Sequence, residues 1–114
     1  MERRTVLPRA SQNKFRARKT TVDGVVFASK HEADRYLELK LLQRAGKISN
    51  LILQPAIHYM SQDGRRTLFR YIPDFLYVEA GEYVYEDAKG LQTPVYKLKK
   101  KLIEDRYGIT IVET

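Results

Sequence analysis

Ile72-Pro73-Asp74-Phe75-Leu76-Tyr77-Val78-Glu79-Ala80-Gly81-Glu82-Tyr83-Val84-Tyr85-Glu86-Asp87-Ala88-Lys89-Gly90 is the stretch on which the reading of this chain turns. Strand-forming residues flank Glu79-Ala80-Gly81-Glu82, which reads as a tight turn between two antiparallel strands. Pairing counted outward from Ala80-Gly81 sets Asp74 directly opposite Asp87. Directly opposed residues have Cβ atoms about 4.5–5.5 Å apart, and like charges so placed destabilise a sheet unless something binds them. Hard carboxylate oxygens suit Mg²⁺ or Mn²⁺. Side chains alternate along a strand, so Lys89 emerges on the face of Asp87, about 6.6 Å further on, while Glu86 and Ala88 point the other way. Two carboxylates, a divalent cation and an ammonium on one face are the parts phosphodiester hydrolysis needs: water activation and stabilisation of developing phosphate charge. The competing reading makes these charges ordinary residues of an exposed sheet, with Lys89 as a salt-bridge partner. Leu76, Val78, Tyr83 and Tyr85 on the same face weigh against it, because acids at the end of an apolar surface are costly without a partner.

Outward from this hairpin, Leu51 to Tyr59 and Thr67 to Val78 are rich in strand formers around Asp63-Gly64, and with Tyr83 to Ala88 they predict a three-stranded antiparallel meander. Upstream, Ser29 and Glu32 have capping-box spacing, and Ala33, Tyr36, Leu37, Leu41 and Ala45 recur at helical intervals up to Gly46, predicting a helix over about 29–45. Thr20 to Val22 and Val25 to Phe27 flank Asp23-Gly24 as a small hairpin. Downstream, a second helix is expected from about Pro94 to Tyr107, with Gly108 as its stop and Ile109 to Val112 as a last strand. The order is helix, three strands, helix, strand, in an α/β (α+β) domain over residues 20–114. Residues 1–19 hold Arg3, Arg4, Arg9, Lys14, Arg16, Arg18 and Lys19 against the single acid Glu2, without periodicity, and read as a flexible basic arm.

A chain of 114 residues is the size of one compact domain, and 43% hydrophobic content with eight Tyr and four Phe is enough for a core. The net charge of +7 draws polyanions, nucleic acid first among them. The absence of Cys removes disulfides, thiolate metal sites and cysteine nucleophiles, and fits a reducing, cytoplasmic setting. No apolar run follows the basic N-terminus or reaches bilayer length, so a chain neither exported nor embedded in a membrane is expected.

Four elements in order carry a resemblance. They are Ser29-Lys30-His31-Glu32-Ala33, Leu53-Gln54-Pro55, Pro73-Asp74-Phe75 and Glu86-Asp87-Ala88-Lys89-Gly90. The last two resemble the PD-(D/E)XK nuclease signature, with Asp87-Ala88-Lys89 as its D-x-K element. All four together resemble a small, mostly phage- or prophage-borne family of that superfamily. The element order is similar to the superfamily's restriction-endonuclease-like core, a mixed sheet flanked by helices, over nearly everything after the arm.

The resemblance implies a Mg²⁺- or Mn²⁺-dependent DNA endonuclease. Asp74, Asp87 and the Ala88 carbonyl would be metal ligands, and Lys89 would lie beside the attacking water. Glu32 is explained equally well, from spacing alone, by reciprocal capping with Ser29; the resemblance implies a catalytic or metal role. Gln54 is a secondary candidate, which contacts the site or satisfies a sheet edge. His31 and His58 read as surface or sheet residues. Arg16, Arg18 and Lys19 in the arm, and Lys97, Lys99, Lys100 and Lys101 on the second helix, are the candidate phosphate contacts. Tyr71, Tyr83 and Tyr85 could stack on unpaired bases, although strand aromatics are more often core. No zinc-finger, helix-turn-helix or RNP-type pattern is present, so recognition by nucleic-acid shape is expected, and similarity to Holliday-junction resolvases implies branched DNA as substrate. A homodimer is expected as the active species, because symmetric incision of two strands takes two sites at a fixed separation and the tyrosine-rich sheet and first helix offer surplus apolar surface. A non-catalytic DNA-binding accessory with the same fold, and a nuclease acting on RNA, are the alternatives.

Overall fold

The computed structural model describes residues 19–88 and 92–114. A hairpin of β1 (Thr20–Val22) and β2 (Val25–Phe27) leads into helix α1 (Lys30–Arg44). Then follow β3 (Ser49–Leu53), β4 (Ile57–Met60), β5 (Thr67–Tyr71), β6 (Phe75–Glu79) and β7 (Glu82–Asp87). Helix α2 (Pro94–Tyr107) and β8 (Ile111–Glu113) complete the order.

The central sheet runs β3-β6-β7-β8. β6 is antiparallel to both neighbours, and β8 joins β7 in parallel. A parallel pair needs a crossover, which α2 supplies. The turn between β6 and β7 has positive φ at Ala80 (53°) and Gly81 (81°), the twist that suits a two-residue hairpin. Its register, Phe75 with Glu86 and Glu79 with Glu82, is the one counted from the sequence.

The three-stranded meander is corrected in one respect. Each of its first two strands is broken in the middle, and β4 and β5 pair with each other as a separate two-stranded sheet. The breaks fall at Gln54-Pro55, where Gln54 has φ of 52°, and at Ile72-Pro73-Asp74. Proline offers no N–H to a ladder and restricts the residue before it, so each strand ends there and its continuation leaves the sheet plane. The last strand also begins two residues later than expected, at Ile111.

Alternation on β6 and β7 gives the central sheet two apolar faces. Phe75, Tyr77 and Val84 pack with Phe27, Ala33, Tyr36, Leu39 and Ile48, beneath α1. On the opposite face Tyr85 joins Ile111, Tyr71 and Ile103, beneath α2. The helices therefore cover opposite faces. Ser29 caps α1 by accepting from the Glu32 N–H at 3.2 Å, and Thr93 caps α2 by accepting from the Tyr96 N–H at 3.1 Å. The buried stripe of α1 is Glu32, Ala33, Tyr36 and Leu39. Leu37 and Leu41, expected in that stripe, are 43% and 61% exposed because the helix is rotated to put Leu39 inward. The β4–β5 hairpin leans on the end of α2, where Arg106 lies 4.1 Å from the centre of the Tyr59 ring and the Tyr107 hydroxyl donates to the His58 carbonyl at 2.5 Å. Among the described residues no helix is long and apolar enough to cross a membrane.

Candidate active site

Pro73 ends one strand just before β6 begins, so Asp74 enters the sheet at its edge, where ladder bonding has not yet started. Its N–H donates instead to Asp87 Oδ1, at 3.1 Å. In return the Ala88 N–H donates to Asp74 Oδ2, at 2.7 Å. Each carboxylate is thus clamped by backbone at or beside the other, which fixes the opposed pair. Neighbouring strands hold the main chain from both sides: the Gln54 N–H donates to the Asp74 carbonyl and the Thr114 N–H to the Asp87 carbonyl, each at 2.9 Å. Both acids are buried, Asp87 completely.

Two tyrosines reach the same carboxylate. The hydroxyls of Tyr71, at the end of β5, and Tyr96, in the first turn of α2, both donate to Asp87 Oδ2 and lie 2.8 Å from each other. Burial first, and the bond to Asp87 second, push both phenols well above the ordinary tyrosine range, so they are protonated donors at neutral pH. From the sequence Tyr71 reads only as a stacking or core residue, and nothing singles out Tyr96. Their spacing carries no local signal, since α2 and β5 meet only in the folded chain.

Glu86 points to the opposite face, as alternation requires, and is fully buried there. Arg35 of α1 forks onto it, Nε to Oε2 at 2.6 Å and Nη2 to Oε1 at 3.0 Å. The Tyr77 hydroxyl donates to Oε1 at 2.6 Å and the Thr114 hydroxyl to Oε2 at 2.9 Å. Burial alone would raise the Glu86 pKa, but the bonds from Arg35, Tyr77 and Thr114 outweigh it and leave the carboxyl below its ordinary value. The Tyr77 phenol, buried beside this charge, is pushed up to about 12.

Glu32 is buried in the first turn of α1, where Oε1 accepts from the Ala28 N–H at 3.1 Å. The capping role read from spacing is therefore present, with Ala28 as donor in place of Ser29. Among the described residues no three His, Cys, Asp or Glu side chains gather closely enough to hold a metal ion between them. Gln54 meets the pair through its backbone, while its side chain is exposed. His31 and His58 are surface residues, near the Thr114 carbonyl and the Thr67 hydroxyl respectively. Of the α2 lysines, Lys97 and Lys101 are exposed, Lys99 lies 5.5 Å from the centre of the Phe69 ring, and Lys100 pairs with Glu113 at 2.5 Å. Lys19 is exposed; Lys89, Arg16 and Arg18 lie outside the described residues, as does the rest of the basic arm.

A family model described as "Protein of unknown function (DUF1064)" matches residues 12–111. The chain belongs to the DUF1064 family. That match takes in part of the arm, both helices and the whole Asp74–Asp87 hairpin of this DUF1064 chain. No curated protein and no solved structure matches it.

Proposed function

We propose that the chain is a metal-dependent DNA endonuclease with a restriction-endonuclease-like core and Asp74 and Asp87 at its centre. The observation that carries this reading is the opposed, buried carboxylate pair, held rigidly by reciprocal bonds to backbone N–H groups at the ends of adjacent strands. Two hard oxygen donors at one point suit Mg²⁺ or Mn²⁺, with the Ala88 carbonyl as a further ligand. The ion would supply Lewis-acid polarisation of the scissile phosphate there. Tyr71 and Tyr96 fix the rotamer of Asp87 through Oδ2. Lys89, two residues on from Asp87, is assigned to orienting the attacking water, and Glu32 to supporting it from α1. Lys97, Lys101 and the arm residues Arg16, Arg18 and Lys19 are assigned to the phosphate backbone.

Branched DNA, with Holliday junctions foremost, is the proposed substrate, and a homodimer the proposed active species, because symmetric incision of two strands takes two sites at a fixed separation. Leu37 and Leu41 on the outer side of α1 are apolar surface that a second copy could cover. A non-catalytic DNA-binding accessory that keeps the fold and the basic surface is the alternative. Incubating the protein with labelled duplex, flap, four-way junction and RNA, in Mg²⁺ or in EDTA, separates these readings. Cleavage of the junction in Mg²⁺ alone is expected, and binding without cleavage of any substrate would give the accessory reading precedence.

A further inference from the structure

We propose that a groove between the end of β5 and the first turn of α2 holds one unpaired nucleotide of a bound strand beside the Asp74–Asp87 pair. Naming that strand as substrate rests on the nuclease reading; the binding itself does not. The groove encloses about 340 Å³, near the lower end of the range of about 300–1,000 Å³ typical of small-molecule sites. Its floor includes Tyr71 and Tyr96, whose hydroxyls bond Asp87, so an occupant is separated from that carboxylate by no more than a phenol side chain.

The walls divide by chemistry. Ile72 and Val95 are 40% and 60% exposed although apolar, and with the Tyr96 ring they offer a surface on which a base can lie flat. Arg70 and Lys99 line the same groove, and neither forms an ion pair among the described residues. Lys100, the next residue on α2, is by contrast neutralised by Glu113. Two such cations beside an apolar and aromatic surface complement a phosphate joined to a base. A paired and stacked base cannot reach such a floor, since both of its faces are already covered in the duplex. The occupant is therefore an unpaired or extruded nucleotide, which a branch point or a single strand supplies.

The test is equilibrium binding of a fluorescent single-stranded oligothymidine and of a matched duplex to the full chain in EDTA, so that cleavage plays no part. Arg70→Glu with Lys99→Glu is compared with Lys47→Glu with Arg65→Glu, an equal change of net charge at exposed positions outside the groove. The groove pair is expected to weaken single-strand binding about tenfold more than the control pair does, with a flatter salt dependence and no such excess on duplex. Equal weakening by the two pairs, or equal weakening on single strand and duplex, would overturn the groove. Selective weakening in a protein that cleaves nothing would keep the groove and remove the nuclease reading. Unchanged single-strand binding in a protein that cleaves with Mg²⁺, and is silenced by Asp74→Asn, would do the reverse.

Discussion

Glu86 and Asp87 are neighbours on one strand, both fully buried, and the sheet gives them opposite surroundings. Glu86 faces α1 and receives the fork of Arg35, with hydroxyls from Tyr77 and Thr114 filling its remaining valences. Asp87 faces α2, and the donors that reach it include one backbone N–H and two phenols, beside the carboxylate of Asp74. A forked guanidinium neutralises a buried acid and commits both of its oxygens to fastening helix to sheet. The backbone N–H and the two phenols instead fix the direction in which the Asp87 oxygens point. The difference separates a structural acid from a candidate catalytic one a single residue apart.

The sharpest way to break this contrast is substitution at the pair. Asp74→Asn, Asp87→Asn and Lys89→Ala are each expected to reduce Mg²⁺-dependent cleavage to background while leaving DNA binding largely intact, as measured on labelled four-way junctions. Wild-type rates in any of the three would sink the site assignment.

On the other side of the sheet the expected effect is on stability. Arg35→Ala strands the buried Glu86 charge and should cost on the order of 3 kcal/mol, read as a drop in the urea midpoint with no change in the metal dependence of cleavage. Adding Glu86→Gln should recover part of it. Because the folded Glu86 carboxyl lies below its ordinary value, its contribution is complete above the unfolded value of about 4.3 and disappears as pH falls through the folded one. Wild type should therefore lose stability in that acidic window faster than Glu86→Gln does; parallel pH profiles would contradict the pairing.

Smaller effects are expected at the tyrosines. Tyr71→Phe and Tyr96→Phe each remove one donor from Asp87 and should cost about 1 kcal/mol of stability. If they position Asp87, each also raises the Mg²⁺ concentration needed for half-maximal cleavage, whereas a purely structural role leaves that concentration unchanged. Smallest of all, deletion of residues 1–19 should leave folding intact and weaken DNA binding. The slope of log affinity against log salt should fall by about one for every phosphate that the arm no longer neutralises. An unchanged slope would show a passive tail.

The opposition of Asp74 and Asp87 was legible in one dimension, because a two-residue turn at Ala80-Gly81 dictates every pairing along its hairpin. The interrupted strands were legible too, in Pro55 and Pro73, but strand propensity across each run masked them. Helix α1 was evident from Ser29 and its periodicity. Its rotation was not, since Leu37 and Leu39 are equally apolar and only the sheet beneath decides which of them is buried.

From sequence alone, then, come the two helices, the hairpin register and the two acids on one face, all of which depend on residues close together along the chain. Tertiary structure decided which partners those acids meet. Arg35 reaches Glu86 across 51 residues, and Tyr71 meets Tyr96 across 25. Such contacts follow from the way α1 and α2 cover opposite faces of the sheet, a consequence of burying two apolar surfaces at once that no local pattern of residues encodes.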